Sequence, residues 1–353
     1  MNDASAGARP RTLVVAPNWV GDCVMAEPLF RALADSGREL VALAKPGLHP
    51  LLDLLPGVVS CATKHQERAA TVAAIRAADC AEAVVVPNSF SSAWLVAAAG
   101  IPKRYGYRGD LRGPMLAPAV KRPRGKRPQI EDPKELLAAM GVSEPPSWVP
   151  RLELPAELVE RGRERLRRAR VEVGEPGDSR ARDSRPPIVG FFPGAEWGPS
   201  KQWPWRRFAE LATELRRARG ELGEVAIAIF VGPKEVWLGV RIHEESGKLH
   251  PVIGPDLDLA GLAGVLAHLD VAVTNDSGPM HLAAALGVPT VAFFGPTDPR
   301  RTAPAGAGHE VLDRELWCSP CFRRRCPLLH HRCLRGIDVA TVVAATARRL
   351  ASD

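Results

Sequence analysis

The 353-residue sequence is short of several things, and each shortage excludes a class of function. Aromatic residues reach only 5%, too few for the stacking platforms that hold single-stranded nucleic acid. No uninterrupted apolar run approaches the ~20 residues needed to cross a bilayer. The stretch Ala93 to Gly100 has the length of a buried helix instead. Met1 to Arg11 is polar and lacks the apolar centre of a signal peptide. The first strand-to-helix junction, Val15-Ala-Pro-Asn-Trp-Val-Gly-Asp22, does not match G-x-G-x-x-G, so the dinucleotide fingerprint is missing. The expectation is a cytoplasmic protein, able to touch a membrane surface, with no nucleic-acid partner.

What is present is an ordinary globular composition, 46% hydrophobic and 25% charged, in a chain long enough for two domains. The formal charge of +7 favours an anionic partner without identifying it. Strand-like runs alternate with helical patterns from Thr12 onward: Thr12 to Ala16, Leu40 to Ala44, a start at Val58-Val59, and Ala83 to Pro87. One helix is expected from Met25 to Ala34 and another from Ser91 to Ala99. Arg112 to Pro128 reads as a basic loop, Ala156 to Arg170 as a charged helix, and 172–187 as a mobile polar linker. A second series follows, with strands at Ile188 to Phe192, Val225 to Val231, Val271 to Thr274 and Thr290 to Phe294. Strands alternating with helices imply doubly wound parallel sheets. The expected plan is α/β: a first Rossmann-like domain over 1–171, the linker, a second over 188–336, and a closing helix over 337–353.

Three segments carry chemistry. In Val271-Ala-Val-Thr-Asn-Asp-Ser-Gly-Pro-Met-His281 a strand ends just before a helix begins. The N–H groups at a helix start, with the positive end of its dipole, form an anion site. Gly278 permits close approach of a phosphate, and Ser277 adds a hydroxyl. The plainer alternative is an Asp/Ser cap with a turn glycine, and His281 is equally a packed core histidine. The second segment, Phe191 to Pro204, places Lys201 on a Gly/Pro loop at a strand end, where it suits neutralising a diphosphate; a solvated lysine is the alternative. The third places Asp22 at the first strand–helix junction, either as a helix cap or as a general base toward a hydroxyl.

Together, Asn18-Trp-Val-Gly-Asp22, Pro193-Gly-Ala-Glu-Trp-Gly-Pro-Ser-Lys-Gln-Trp-Pro204 and Thr274-Asn-Asp-Ser-Gly-Pro-Met-His-Leu-Ala-Ala-Ala-Leu-Gly287 resemble the bacterial ADP-heptose:lipopolysaccharide heptosyltransferases of glycosyltransferase family 9. The branch that adds the second heptose is nearest. Gly295-Pro-Thr-Asp-Pro299 and the segment Cys318 to Cys333 are similar to family segments as well. The resemblance runs from about Leu13 to Leu350 and is loosest between Pro102 and Pro187. It implies a GT-B fold with two Rossmann-like domains facing a cleft, acceptor on the first and nucleotide sugar on the second. It also implies inverting transfer of a heptose from ADP-heptose to the lipopolysaccharide inner core at the inner membrane surface, without a required cofactor or catalytic metal. Asp22 would then be the base and Lys201 the holder of the leaving diphosphate. Ser200, Asp276, Ser277, Gly278 and His281 would contact the donor, and Glu235 the ribose. A related transferase with another donor or acceptor, or a non-catalytic nucleotide-sugar-binding protein, remains the alternative.

Two features stand outside that scheme. Cys318, Cys321, Cys326 and Cys333 follow C-x2-C-x4-C-x6-C with His330 and His331 inside, a set able to hold a structural zinc, to form disulfides or to stay reduced and buried. Lys121, Arg122, Arg124, Lys126 and Arg127 form a basic run, either a solvated loop or a contact for anionic groups of the acceptor or membrane.

Overall fold

Short apolar runs become parallel strands here because both faces of each sheet are covered, so nearly every side chain of the central strands is buried. A computed structural model describes residues 10–123, 125–174, 185–218 and 223–351. The first sheet contains β1 (Arg11–Val15), β2 (Glu39–Ala44), β3 (Val58–Thr63), β4 (Glu82–Val85), β5 (Lys103–Tyr107) and β6 (Ala119–Val120), in the order β3-β2-β1-β4-β5-β6. All its ladders are parallel. The second contains β7 (Ile188–Phe192), β8 (Ala226–Phe230), β9 (Val252–Ile253), β10 (Val271–Asn275), β11 (Thr290–Phe294) and β12 (His309–Asp313), in the order β12-β11-β10-β7-β8-β9. Counted from its own first strand, the second sheet repeats the order of the first. In each, the chain starts centrally, builds outward, then returns to the other side of the first strand. Such a reversal leaves a crevice at the carboxyl ends of the two central strands, β1 with β4 and β7 with β10. The expected pair of Rossmann-like domains is present.

The chain divides into Met1–Pro150 and Arg151–Asp353. The charged helix Ala156–Arg168, placed with the first domain by the sequence reading, packs instead against the helix Leu259–Leu266 of the second unit. A Cβ on Gly162 would lie 2.1 Å from the Gly264 carbonyl oxygen, so the two backbones touch. The division therefore falls before this helix rather than at 171. The closing helix Val339–Leu350 is part of the second core through Val339, Val342 and Ala345. Of the expected linker, residues 175–184 lie outside those described. No helix among the described residues is long and apolar enough to cross a membrane.

Other differences have local causes. The expected helix Met25 to Ala34 is two, Val20–Met25 and Glu27–Asp35, meeting at Ala26. Pro28 has no N–H to give to an unbroken helix and sits in the first turn of the second. Arg112, read as part of a basic loop, is 1% exposed. Its guanidinium donates to the carbonyls of Tyr107 at 2.6 Å and Pro87 at 2.6 Å and to Asn88 Oδ1 at 2.9 Å, and so shapes the loop after β4.

Gly162→Ala tests the helix contact. Alanine gains about 1 kcal/mol of helix propensity over glycine, but a clash with backbone cannot be relieved by a rotamer change. Net destabilisation of about 1–3 kcal/mol is expected from urea unfolding, and an unchanged or raised midpoint would refute the close crossing.

Candidate functional site

The loop leaving β7 is held at both ends by one side chain at the end of β10. Asn275, fully buried at the end of β10, accepts from the Trp203 N–H at 2.8 Å and donates to the Pro193 carbonyl at 2.7 Å. Trp203 is itself a core anchor, 1% exposed, stacked on Phe293 at 4.6 Å and edge-on to Phe208 at 5.0 Å. Its indole N–H donates to the Ile337 carbonyl at 3.0 Å. The span 193–203 is thus pinned at both ends, and Lys201 is carried at a fixed place on it.

Lys201 Nζ lies 2.6 Å from Asp276 Oδ2, with side chains 13% and 4% exposed. The Thr297 hydroxyl donates to the same oxygen at 2.5 Å. His281, one turn into the helix Gly278–Ala285, is buried beside this pair. Burial pushes its pKa down to about 4 despite the favourable Asp276 charge, so it is neutral at pH 7. Ser277 precedes the helix with extended backbone, yet its hydroxyl makes no cap hydrogen bond and lies 3.5 Å from Thr274 Oγ1. The cap alternative therefore fails for Ser277. Among the described residues no side chain caps the start of this helix; Pro279 has no N–H and the Met280 N–H donates to the Ser277 carbonyl at 3.2 Å, which leaves the Gly278 N–H as the donor for a ligand.

Glu235 reaches the same corner from the end of the loop after β8. Its Oε1 accepts from the Ala195 N–H at 2.8 Å, and a Cβ on Gly194 would fall 2.0 Å from its Oε2. Burial raises its pKa against the effect of the Ala195 hydrogen bond. Ser200 is 3% exposed and donates its hydroxyl to the Arg323 carbonyl at 2.6 Å, so it ties two loops together.

In the first unit, Asp22 stands in the first turn of the helix Val20–Met25 and lines a cavity of about 350 Å³ with Asn18, Trp19, Asn88, Tyr107 and Gln129. The cavity lies where β1 and β4 end. Gln129 Nε2 donates to Asp22 Oδ1 at 2.8 Å. Of the basic run, Arg122 pairs with Asp132 at 3.6 Å, and Arg127 pairs with Asp132 at 3.5 Å and Glu135 at 2.5 Å. Arg124 lies outside the described residues. The Tyr107 hydroxyl donates to Glu135 at 2.7 Å, so this segment closes one wall of the cavity.

The C-terminal thiols share one neighbourhood: burial raises the Cys333 pKa, and Cys326, Cys321 and Cys318 add to the rise. Among the described residues, however, no three His, Cys, Asp or Glu side chains are grouped so as to hold a metal ion.

The sequence model of glycosyltransferase family 9 (heptosyltransferase) matches residues 68–331. The chain belongs to this family. It is 31% identical over 322 residues to lipopolysaccharide heptosyltransferase 2 of Escherichia coli K12, covering 86% of this chain and 87% of that protein. Identity to the Salmonella typhimurium protein of the same name is also 31%, over 325 residues. The solved structure of E. coli ADP-heptose lps heptosyltransferase II superposes with a TM-score of 0.76 at 28% identity, covering 96% of this chain and 98% of that one. The two sheets of this glycosyltransferase are those of a GT-B enzyme.

Sequence reasoning missed Thr297 and Gln129 in this glycosyltransferase. Thr297 was in view within Gly295-Pro-Thr-Asp-Pro299, but nothing in the spacing says that it meets Asp276. Gln129 follows a Pro/Arg-rich stretch with no periodicity, and it is 107 residues from its partner.

Neutral His281 gives a pH signature. The unfolded chain takes up its proton near pH 6.5 and the folded chain only near 4. Its contribution to stability is therefore complete above pH 6.5 and lost as pH falls toward 4. Between pH 7 and 4.5, His281→Gln should lose less stability in urea than the wild type. Equal losses would show that His281 is not held neutral.

Proposed function

We propose that this glycosyltransferase moves a heptose from ADP-heptose to the inner core of lipopolysaccharide, with inversion at the anomeric carbon. The observation that carries the reading is the buried Lys201–Asp276 pair set at the start of the Gly278–Ala285 helix, where β7 and β10 end. A diphosphate there meets an ammonium and the Gly278 N–H at the positive end of a helix, while a carboxylate is present for sugar hydroxyls. The S. typhimurium and E. coli relatives are named lipopolysaccharide heptosyltransferase 2, and the superposed structure is that of an ADP-heptose lps heptosyltransferase. Those names support the donor and acceptor classes.

The chemistry follows from charge. An acceptor hydroxyl oxygen bonds to the anomeric carbon, the bond from that carbon to the diphosphate oxygen breaks, and ADP departs. Positive charge builds on the sugar in the transition state and negative charge on the leaving oxygen. Lys201 and the backbone N–H of Gly278 stabilise the latter. The acceptor proton passes to Asp22, which Gln129 holds in a fixed orientation. A carboxylate is a weak base toward a free sugar hydroxyl, so proton transfer accompanies bond formation. In this reading Glu235, whose carboxylate is oriented by the Ala195 N–H, takes ribose hydroxyls. This scheme needs no cofactor. The acceptor is membrane-anchored, so the enzyme works peripherally at the inner membrane surface.

Two variants separate the roles. Asp22→Asn should lower kcat by roughly 10³-fold while ADP-heptose binding by calorimetry stays unchanged. Lys201→Ala should lower kcat by roughly 10²–10³-fold and also weaken ADP binding. Full turnover in Asp22→Asn would remove its role as base.

A further inference from the structure

The cysteine-rich segment after β12 has no role in the scheme above, yet it is stitched to the loops that carry Lys201 and Thr297. The carbonyl of Arg323 accepts from the Ser200 hydroxyl at 2.6 Å, and that of Arg324 from the Ser200 N–H at 3.3 Å. Phe322 N–H donates to the Pro296 carbonyl at 2.7 Å, and the Ser319 hydroxyl donates to the Gly295 carbonyl. Gly198 permits this approach. Its φ is +142°, and a Cβ would lie 2.8 Å from the Arg324 oxygen.

The strap fixes where Arg324 emerges. Its guanidinium carbon lies 5.0 Å from the ring centroid of Trp197, and the Lys201 ammonium lies 5.5 Å from the same centroid. The two cationic heads are thus no farther apart than those two distances together. Lys201 has Asp276 as counter-ion. Among the described residues Arg324 has no carboxylate partner within ion-pair distance and is exposed. Among the described residues the buried Trp197 indole N–H has no partner either, but it is covered by protein, so the exposed Arg324 is the cation left open to a ligand at this corner.

We propose that Arg324 is a second cationic contact for the diphosphate of the nucleotide-sugar donor. The inference rests on the donor reading above and deepens it. Lys201 and Asp276 together carry no net charge, so alone they are a poor match for a ligand with two or more negative charges. Arg324 restores a positive balance. Stacking on Trp197 uses the face of the guanidinium and leaves its edge N–H groups for phosphate oxygens. Its exposure leaves it able to turn toward a ligand.

The test is calorimetric titration of the full-length protein with ADP and with adenosine, for wild type, Arg324→Gln and Arg324→Lys. Each substitution keeps the backbone carbonyl that grips Ser200. ADP affinity of Arg324→Gln should fall roughly ten- to hundredfold, with adenosine affinity unchanged and a weaker salt dependence. Arg324→Lys should recover part of the loss. Equal ADP affinity in wild type and Arg324→Gln would overturn the proposal, as would an equal fall for ADP and adenosine, which would mark a purely structural strap. A wild type that binds no ADP would overturn the donor reading itself.

Discussion

The side-chain amide of Asn275 is the contact on which the second unit's site depends. Its oxygen and nitrogen hold both ends of the loop that leaves β7 against the end of β10. Both bonds are made at a fully buried position, where neither water nor another side chain replaces a lost partner, so breaking either leaves a desolvated polar group. Everything that bears charge follows from that joint. It sets where the 193–203 loop runs, hence where Lys201 stands, and brings its ammonium to 2.6 Å from the residue next to Asn275.

The Lys201–Asp276 pair is costly to build. Removing two charges from water carries a penalty that mutual attraction offsets only with good geometry and further hydrogen bonds. Thr297 supplies one such bond to the shared oxygen, and neutral His281 avoids adding a third charge. An arrangement so demanding is poor value as mere stabilisation. It is consistent with a ligand that competes for the ammonium while its own hydroxyls engage the carboxylate. The first unit shows the same economy of means: Asp22 stands where β1 and β4 end, with Gln129 at 2.8 Å.

Much of this was legible in the sequence. The apolar runs around Val14, Val84, Phe191 and Val273 marked central strands because parallel strands are buried on both faces. Their carboxyl-end residues, Asp22, Lys201, Asp276 and Gly278, lay where periodicity changed from strand to helix. Lys103–Tyr107 and His309–Asp313 were missed because these strands carry polar residues and lack the continuous apolar signature. Arg112 was misread for a related reason: its charge looked like surface, whereas its donors satisfy carbonyls inside the first unit. Ser200 stands next to a candidate ligand residue, and its bond to the carbonyl of Arg323 was not foreseen. Partners 107 and 123 residues away, as for Gln129 and Ser200, leave no local trace.

The identity of the donor is the point on which the account stands or falls. Turnover of the wild-type enzyme should be measured with ADP-heptose, UDP-glucose and ADP-glucose in turn, each with heptosyl-Kdo-lipid A in detergent and with mass analysis of the lipid product. The account predicts one added heptose with ADP-heptose and stoichiometric ADP release. A product carrying a different sugar from another nucleotide, with none from ADP-heptose, would contradict it.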